Sequence, residues 1–140
     1  MARDEKLDLL QRIPIFSGFD RRRMERLGML ADEVHVSAGK VLMRQGDIGS
    51  DMMVVVRGSV AVERDGNRLN TLGSGDFFGE IALVDGGPRT ATVTTEEPTT
   101  LLVITHRDFH SMMDEFPEVA DQVMNALANR VRHLEPDAPH

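Results

Sequence analysis

The 140-residue chain contains no cysteine, tryptophan or tyrosine, and six phenylalanines are its only large aromatic residues. The lack of cysteine excludes disulfides, thiol catalysis and cysteine metal sites, and it is typical of a cytoplasmic protein. Because large aromatic side chains are few, the chain offers few surfaces on which nucleic-acid bases could stack. No apolar run reaches the length of a membrane span, and the charged segment 1–6 is unlike a signal peptide. We therefore expect a cytoplasmic protein with no membrane span.

The charge balance is acidic, with a formal net charge of −7. Binding to nucleic-acid backbones requires a basic surface, so no nucleic-acid partner is expected. The only basic cluster, Arg21–Arg23, would point in three directions on a helix, which favours a solvated face. The length suits one domain over residues 1–135, followed by a disordered tail at 136–140.

Both ends of the chain show helical patterns. Leu7 and Leu10 predict a short amphipathic helix over 4–12, and Asp20 is a suitable N-cap for a helix that ends near Leu30. Residues 105–108 fit a capping box, and Pro117 suits the first turn of a last helix that continues to about residue 135. We assign residues 1–31 and 105–135 to helical segments.

The middle of the chain, residues 32–104, has short apolar, β-branched runs divided by glycine turns. Asp65-Gly66 is a strong hairpin signal between two of these runs. Many short strands of this kind predict an antiparallel barrel or jelly roll. The fold class is therefore α+β, mainly β: an antiparallel double-stranded β-helix or jelly-roll barrel with N-terminal helices and two C-terminal helices.

The segment from Gly75 to Val93 carries the chemistry. Residues 79–83 suit a single helical turn, whose N-terminal amides would bind an anion. The planar fork of Arg89 suits two phosphate oxygens, and Thr90 adds a hydroxyl. Glu80 would repel the same anion, unless it accepts a hydrogen bond from a sugar hydroxyl, as acids do on riboses elsewhere. The pattern therefore indicates a phosphate joined to a sugar.

These residues resemble the phosphate-binding cassette of cyclic nucleotide-binding domains. That family includes the cAMP-dependent kinase regulatory subunits, the cyclic nucleotide-gated channels and the catabolite-activator-type regulators. The resemblance covers nearly the whole chain. Its motifs are Phe78–Leu83 and Pro88–Val93 in the cassette, Ile13–Gly18 in the N-terminal helical part, and Gly39–Asp47 and Val56–Val60 in the strands.

The resemblance implies a role for each site residue. It implies that Glu80 binds the ribose 2′-hydroxyl, and that the cyclic phosphate is bound by Arg89, Thr90 and the amides near Ala82 and Ala91. Phe78 matches a neighbour of the sugar, while Val62 and Leu72 match positions on the barrel wall beside the base. The full candidate set is Phe78, Gly79, Glu80, Ile81, Ala82, Arg89, Thr90, Ala91, Val62, Leu72 and Arg130.

Arg130 falls on the apolar stripe of the last helix with Val119, Val123 and Leu127. Its stem could extend to solvent, or its charge could complement the helix C-terminus. In channel-type members of the family an arginine on the final helix covers the purine, and we favour this role; Leu134 or His133 could serve instead. The last helix would then pack more closely when ligand is bound.

The predicted function is a cyclic nucleotide sensor that is not an enzyme and signals to an unknown protein effector. We favour cAMP over cGMP, with Thr90 compatible with both. A ligand-free interaction module, with Arg89 paired to Asp85, and a module excised from a channel or enzyme remain alternatives. The protein would be a monomer or a weak homodimer through the C-terminal helix.

No cofactor or metal is expected. His106 and His110 have a spacing that can hold zinc, but no third ligand is evident, so a surface pair is the better interpretation. A catalytic triad is likewise not evident. Direct control of transcription is not expected, because no helix-turn-helix follows the last helix.

Overall fold

The computed structural model describes residues 2–49, 51–79 and 88–132, with the backbone alone for 126–132. Within them, helices lie at both ends and strands lie between. The N-terminal elements are α1 (Arg3–Gln11), a 3-10 turn (Pro14–Phe16) and α2 (Arg21–Leu30). The strands are β1 (Asp32–Val36), β2 (Val41–Met43), β3 (Asp51–Arg57), β4 (Val60–Arg64), β5 (Asn67–Leu72), β6 (Phe77–Phe78), β7 (Thr92–Thr95) and β8 (Thr99–Thr105). The C-terminal helices are α3 (His106–Glu115) and α4 (Pro117–Arg132).

The strands form two four-stranded antiparallel sheets, in the orders β1-β8-β3-β6 and β2-β7-β4-β5. Strands that are neighbours in a sheet are mostly distant in sequence, since β8 lies between β1 and β3, and β7 lies between β2 and β4. This arrangement of two sheets confirms the predicted jelly-roll fold.

The β4–β5 hairpin confirms the Asp-Gly signal. Asp65 and Gly66 both have positive φ, at 54° and 79°. Two consecutive positive values define the type I′ turn, whose twist matches that of the paired strands. β4 and β5 pair from Val60 opposite Leu72 to Arg64 opposite Asn67, with a shift in register between Val62 and Glu63.

The helix starts also agree with the sequence. The Asp20 carboxylate accepts a hydrogen bond from the Arg23 amide at 2.9 Å, which caps α2. The Thr105 hydroxyl accepts one from the Asp108 amide at 3.1 Å, which caps α3. α4 begins at Pro117 as predicted and is described to Arg132, so its predicted continuation to residue 135 lies outside the described residues.

The prediction of a solvated arginine cluster is wrong for Arg23. Its side chain is only 18% exposed, and it forms ion pairs with Asp20, the N-cap of α2, and with Glu118 in the first turn of α4. The guanidinium also lies over the Phe116 ring, 5.6 Å from its centroid. These contacts join α2 to the start of α4, which a helical projection of α2 alone does not show.

Two clusters of buried side chains position the site. The larger one packs the helices against one sheet and includes Phe16, Phe109 and Val123. The smaller one lies between the two sheets and is built from strand residues, among them Phe78, together with Ala91. None of the helices in the described ranges has the length and apolar character needed to cross a membrane.

Candidate functional site

Arg89 is held by its backbone against the turn between β2 and β3. Its amide donates to the Asp47 carbonyl at 2.8 Å, and its carbonyl accepts from the Gly46 amide at 2.8 Å. Ile48 and Pro88 form a short bridge beside this pair. Both backbone groups of Arg89 are therefore hydrogen-bonded, which fixes the position of this residue just before strand β7.

The Arg89 side chain is buried, with 8% of the residue exposed. Its Nη2 donates to the Asp51 backbone carbonyl at 2.8 Å, whereas Nη1 has no hydrogen-bond partner among the described residues. Burial lowers the pKa of the guanidinium, and the charge of Asp51 opposes that shift in part. An anionic partner would offset the cost of burying this charge, so the arrangement suits an anion.

Two glycines make room for the Arg89 guanidinium. A Cβ on Gly49 would overlap its Nε and Cζ. A Cβ on Gly79 would lie 2.8 Å from Arg89 Nη1 and 2.7 Å from the Asp51 carbonyl oxygen. Gly79 also has φ of +84°, which other residues rarely adopt. The space around this arginine therefore depends on the absence of side chains at both positions.

Replacing Gly49 by alanine should displace the Arg89 guanidinium and weaken anion binding by more than about 10-fold, because charge-assisted hydrogen bonds depend on geometry. Calorimetric titration with the ligand proposed below would measure this loss. Gly18→Ala is a matched control, because a Cβ there meets nothing within 4 Å. Equal affinity of Gly49→Ala and the wild type would contradict the packing role of Gly49.

A cluster of buried apolar side chains is joined to Arg89 along the chain. Phe78, Val62, Leu72 and Ala91 belong to one buried cluster between the two sheets. Ala91 is completely buried two residues after Arg89, where a larger side chain would have no room. The structure thus brings four of the predicted site residues into one buried cluster, and Ala91 connects that cluster to Arg89 along the chain.

The other predicted site residues differ in how far the structure describes them. Thr90 is exposed, and its carbonyl accepts a hydrogen bond from Arg64 Nε at 3.0 Å. Glu80, Ile81 and Ala82 lie outside the described residues, as does Asp85, the alternative partner of Arg89. Arg130 lies on the described backbone of α4, but its side chain is outside the described part.

The two histidines of α3 lie in contact, with the ring centroids of His106 and His110 4.0 Å apart. Over the residues that the structure describes, no group of three or more His, Cys, Asp or Glu side chains could hold a metal ion. The prediction that no metal is needed stays a prediction.

Sequence reasoning missed three residues that shape the site. Gly49 and Asp51 lie in and after the β2–β3 turn and contact the Arg89 side chain. Gly49 does not have a positive φ, so the backbone conformation does not account for a glycine at this position. A glycine close to the start of a strand was the one signal that another group approaches it closely. Arg64 gave no signal, because a bond from a side chain to a backbone carbonyl 26 residues away has no sequence pattern.

Comparison with protein families matches residues 33–116, more than half of the chain, to the family described as "Cyclic nucleotide-binding domain". The matched range contains both sheets almost entirely, the Arg89 site and α3. It begins within β1 and ends one residue before α4.

Three similar proteins illustrate the match. A cyclic nucleotide-gated potassium channel of Rhizobium etli is 37% identical over 95 residues, covering 68% of this chain and 26% of the channel. A CRP-like cAMP-activated global transcriptional regulator of Mycobacterium tuberculosis is 28% identical over 130 residues, covering 89% of this chain and 58% of the regulator. The N-terminal domain of a transcriptional regulator from Streptomyces coelicolor A3(2) superposes with a TM-score of 0.82 at 36% identity, covering 89% of this chain and 90% of that domain. The chain thus spans little more than half, or less, of each of the two full-length relatives.

Proposed function

The chain belongs to the cyclic nucleotide-binding domain family, which consists of regulatory ligand-binding domains rather than catalytic ones. From this premise we propose that it is a cAMP sensor that uses Arg89 to bind the cyclic phosphate and signals to a protein partner. It performs no catalysis itself. The proposal places its action in the cytoplasm.

The buried guanidinium of Arg89 is the observation that carries the proposal. An arginine with an unpartnered Nη1 among the described residues, and a pKa lowered by burial, favours an anionic ligand over an empty site. A cyclic phosphate carries one negative charge and presents two free oxygens. The planar fork of the arginine matches both of them.

The proposal places a nucleoside on the same phosphate. Its base lies beside the buried cluster that contains Val62, Leu72 and Ala91. Glu80 accepts the ribose 2′-hydroxyl in this proposal, and Thr90 and the amides near Ala82 and Ala91 complete the phosphate contacts. Phe78, Gly79 and Ile81 hold the backbone of the cassette.

The preference for cAMP over cGMP has support from a relative. The mycobacterial regulator, which matches 89% of this chain, is described as cAMP-activated. Thr90 is compatible with both ligands, because its hydroxyl could also meet the 2-amino group of a guanine. We therefore propose cAMP as the ligand and cGMP as the weaker competitor.

The C-terminal helix is the proposed output element. Val119 and Val123 anchor the first turns of α4 in the larger buried cluster, which packs the helices against one sheet. Arg130 lies two turns after Val123. In the proposal Arg130 covers the base, so that ligand favours the packed arrangement of the helix. The coupling is limited by the difference in ligand affinity between the two arrangements, typically about 1–3 kcal/mol. The effector, and a weak homodimer through this helix, belong to the same proposal.

Replacing Arg130 by alanine should weaken cAMP binding about 5- to 30-fold, the size of a lost cation–π contact of about 1–2 kcal/mol. Arg132→Ala is the matched control, because two helical steps turn a side chain about 200° away from that of Arg130. Calorimetric titration of both variants measures the effect. Equal losses in the two variants would contradict a lid at Arg130.

Thermal unfolding with cAMP, cGMP and a cyclic dinucleotide tests the proposed function. At a ligand concentration of about 100 times Kd, stabilisation of about 2.7 kcal/mol is expected for cAMP. The cGMP shift should be smaller, and the cyclic dinucleotide should give none. No stabilisation by cAMP or cGMP would overturn the proposal in favour of a ligand-free interaction module.

A further inference from the structure

Three hydrogen bonds fix the backbone that carries Arg89 and Thr90. The Arg89 amide and carbonyl pair with Asp47 and Gly46, and the Thr90 carbonyl accepts from the Arg64 guanidinium. These partners come from two separate segments: the β2–β3 turn and the end of β4. The orientation of the phosphate-binding segment therefore depends on how those two segments lie relative to each other.

A pair of hydrogen bonds joins the two segments. Gln45 Nε2 donates to Asp65 Oδ1 at 2.8 Å, and Gln45 Oε1 accepts from the Asp65 amide at 2.9 Å. Gln45 directly precedes Gly46, and Asp65 directly follows Arg64. We call this pair the Gln45–Asp65 clamp. It connects the neighbour of Gly46, which bonds to Arg89, with the neighbour of Arg64, which bonds to Thr90.

The clamp is attached to the site on a third side as well. The backbone amide of Gln45 donates to Thr92 Oγ1 at 3.0 Å, at the start of β7. Asp65 has φ of +54°, a conformation that costs free energy for a residue other than glycine and that the clamp helps to hold. Gln45 and Asp65 are nevertheless exposed and belong to neither buried cluster, so they add little to the packing of the core.

We propose that Gln45 is a positioning residue for phosphate binding, and that it acts through Asp65 and Arg64 on the backbone of Arg89 and Thr90. The clamp holds this segment in the binding-competent arrangement before the ligand arrives. Without it, only a fraction of the molecules has that arrangement, and the apparent Kd rises by the inverse of the fraction. This inference rests on the proposed function, because it assumes that the anion at Arg89 is a cyclic nucleotide phosphate.

Gln45→Ala is the main test, since it breaks both bonds of the clamp without changing the charge. The expected result is a rise of about 3- to 10-fold in the calorimetric Kd for cAMP, corresponding to a competent fraction of about 10–30%. The midpoint of thermal unfolding without ligand should fall by no more than about 2 °C, as for an exposed substitution.

Two variants serve as controls. Asp65→Asn keeps an oxygen acceptor and the backbone amide, and asparagine suits the positive φ of this turn, so its affinity should equal that of the wild type. Glu96→Gln removes the charge from another exposed pair of the same sheet, with Arg68, at the opposite end of β7. Its affinity should also be unchanged.

A double-mutant cycle with Arg89→Lys separates positioning from a general loss of stability. If Gln45 positions the rigid fork of Arg89, Gln45→Ala should raise Kd by less than about 2-fold in the lysine background, because a flexible lysine ammonium can reach the phosphate in both arrangements of the segment. A purely structural effect would give the same fold-change in both backgrounds and would overturn the proposal.

Hydrogen exchange of the ligand-free protein gives a second readout that needs no nucleotide. Exchange of the Arg89 and Gly46 amides should be faster in Gln45→Ala than in the wild type, and unchanged in Glu96→Gln. If Gln45→Ala shows the exchange rates and the cAMP affinity of the wild type, the role of the clamp is overturned but the proposed function is not. Failure of the wild type to bind cAMP or cGMP would overturn the proposed function, and the positioning role with it.

Discussion

Replacing Arg89 by alanine is expected to weaken cAMP binding severely, with Kd raised about 30- to 5,000-fold. The substitution removes the charge and the Nη1 donor that is unpaired within the described part of the chain, and the loss of such a partner costs about 2–5 kcal/mol. The fold should survive, because Arg89 makes one hydrogen bond to another residue's backbone through its side chain and leaves Nη1 unpaired among the described residues.

Arg89→Met separates binding from folding. Methionine fills much of the same space without burying a charge, and replacing a buried charge by an apolar group is often neutral or stabilising. Its unfolding midpoint without ligand should therefore equal or exceed that of the wild type, while added cAMP should cause no shift. Arg68→Ala, at a half-exposed arginine on β5, is the control that should bind normally. Wild-type affinity in Arg89→Ala would contradict the assignment of the phosphate site.

Replacing Glu80 by alanine is expected to raise the Kd for cAMP about 10- to 100-fold, since a hydrogen bond to a charged group is worth about 1.5–3 kcal/mol. Simple electrostatics predicts the opposite, because removing an acid near an anion should strengthen anion binding. The sign of the change therefore decides whether Glu80 binds the sugar or only repels the phosphate.

The ligand 2′-deoxy-cAMP makes this test specific. The wild type should bind it about as weakly as Glu80→Ala binds cAMP, and Glu80→Ala should bind the two ligands equally, because both changes remove the same hydrogen bond. Asp76→Asn is the control for charge: Asp76 is exposed and accepts from the Gly73 amide, which asparagine can also do. If the ratio of the Kd values for 2′-deoxy-cAMP and cAMP is the same in the wild type and in Glu80→Ala, Glu80 does not bind the ribose 2′-hydroxyl.

Local signals in the sequence predicted the framework of the fold well. The N-caps at Asp20 and Thr105 and the Asp65-Gly66 turn act over a few residues, so each can be recognised in a short segment. The jelly roll followed from the number and spacing of such signals. The ligand class was predicted from Glu80 next to a phosphate motif and from the family resemblance. The family match supports the class, and the role of Glu80 stays a prediction.

Contacts between distant segments could not be predicted in this way. The approach of Gly49 to Arg89 joins residues 40 positions apart, and the Gln45–Asp65 clamp joins a turn to a hairpin. Neither contact follows from periodicity or propensity, because both depend on how the sheets bring loops together. The burial of Arg23 against Glu118 was missed for the same reason, since its partner lies on a helix almost a hundred residues away.

Calorimetric titration of the unmodified protein with cAMP tests the central claim most directly. The account predicts saturable binding of one cAMP per chain with a Kd in the micromolar range or below, about −8 kcal/mol or more favourable, and weaker binding of cGMP. Added 5′-AMP, which has the same base and sugar but an open phosphate, should compete poorly. Absence of saturable heat with both cyclic nucleotides at millimolar concentration, in protein shown to be folded, would contradict the account.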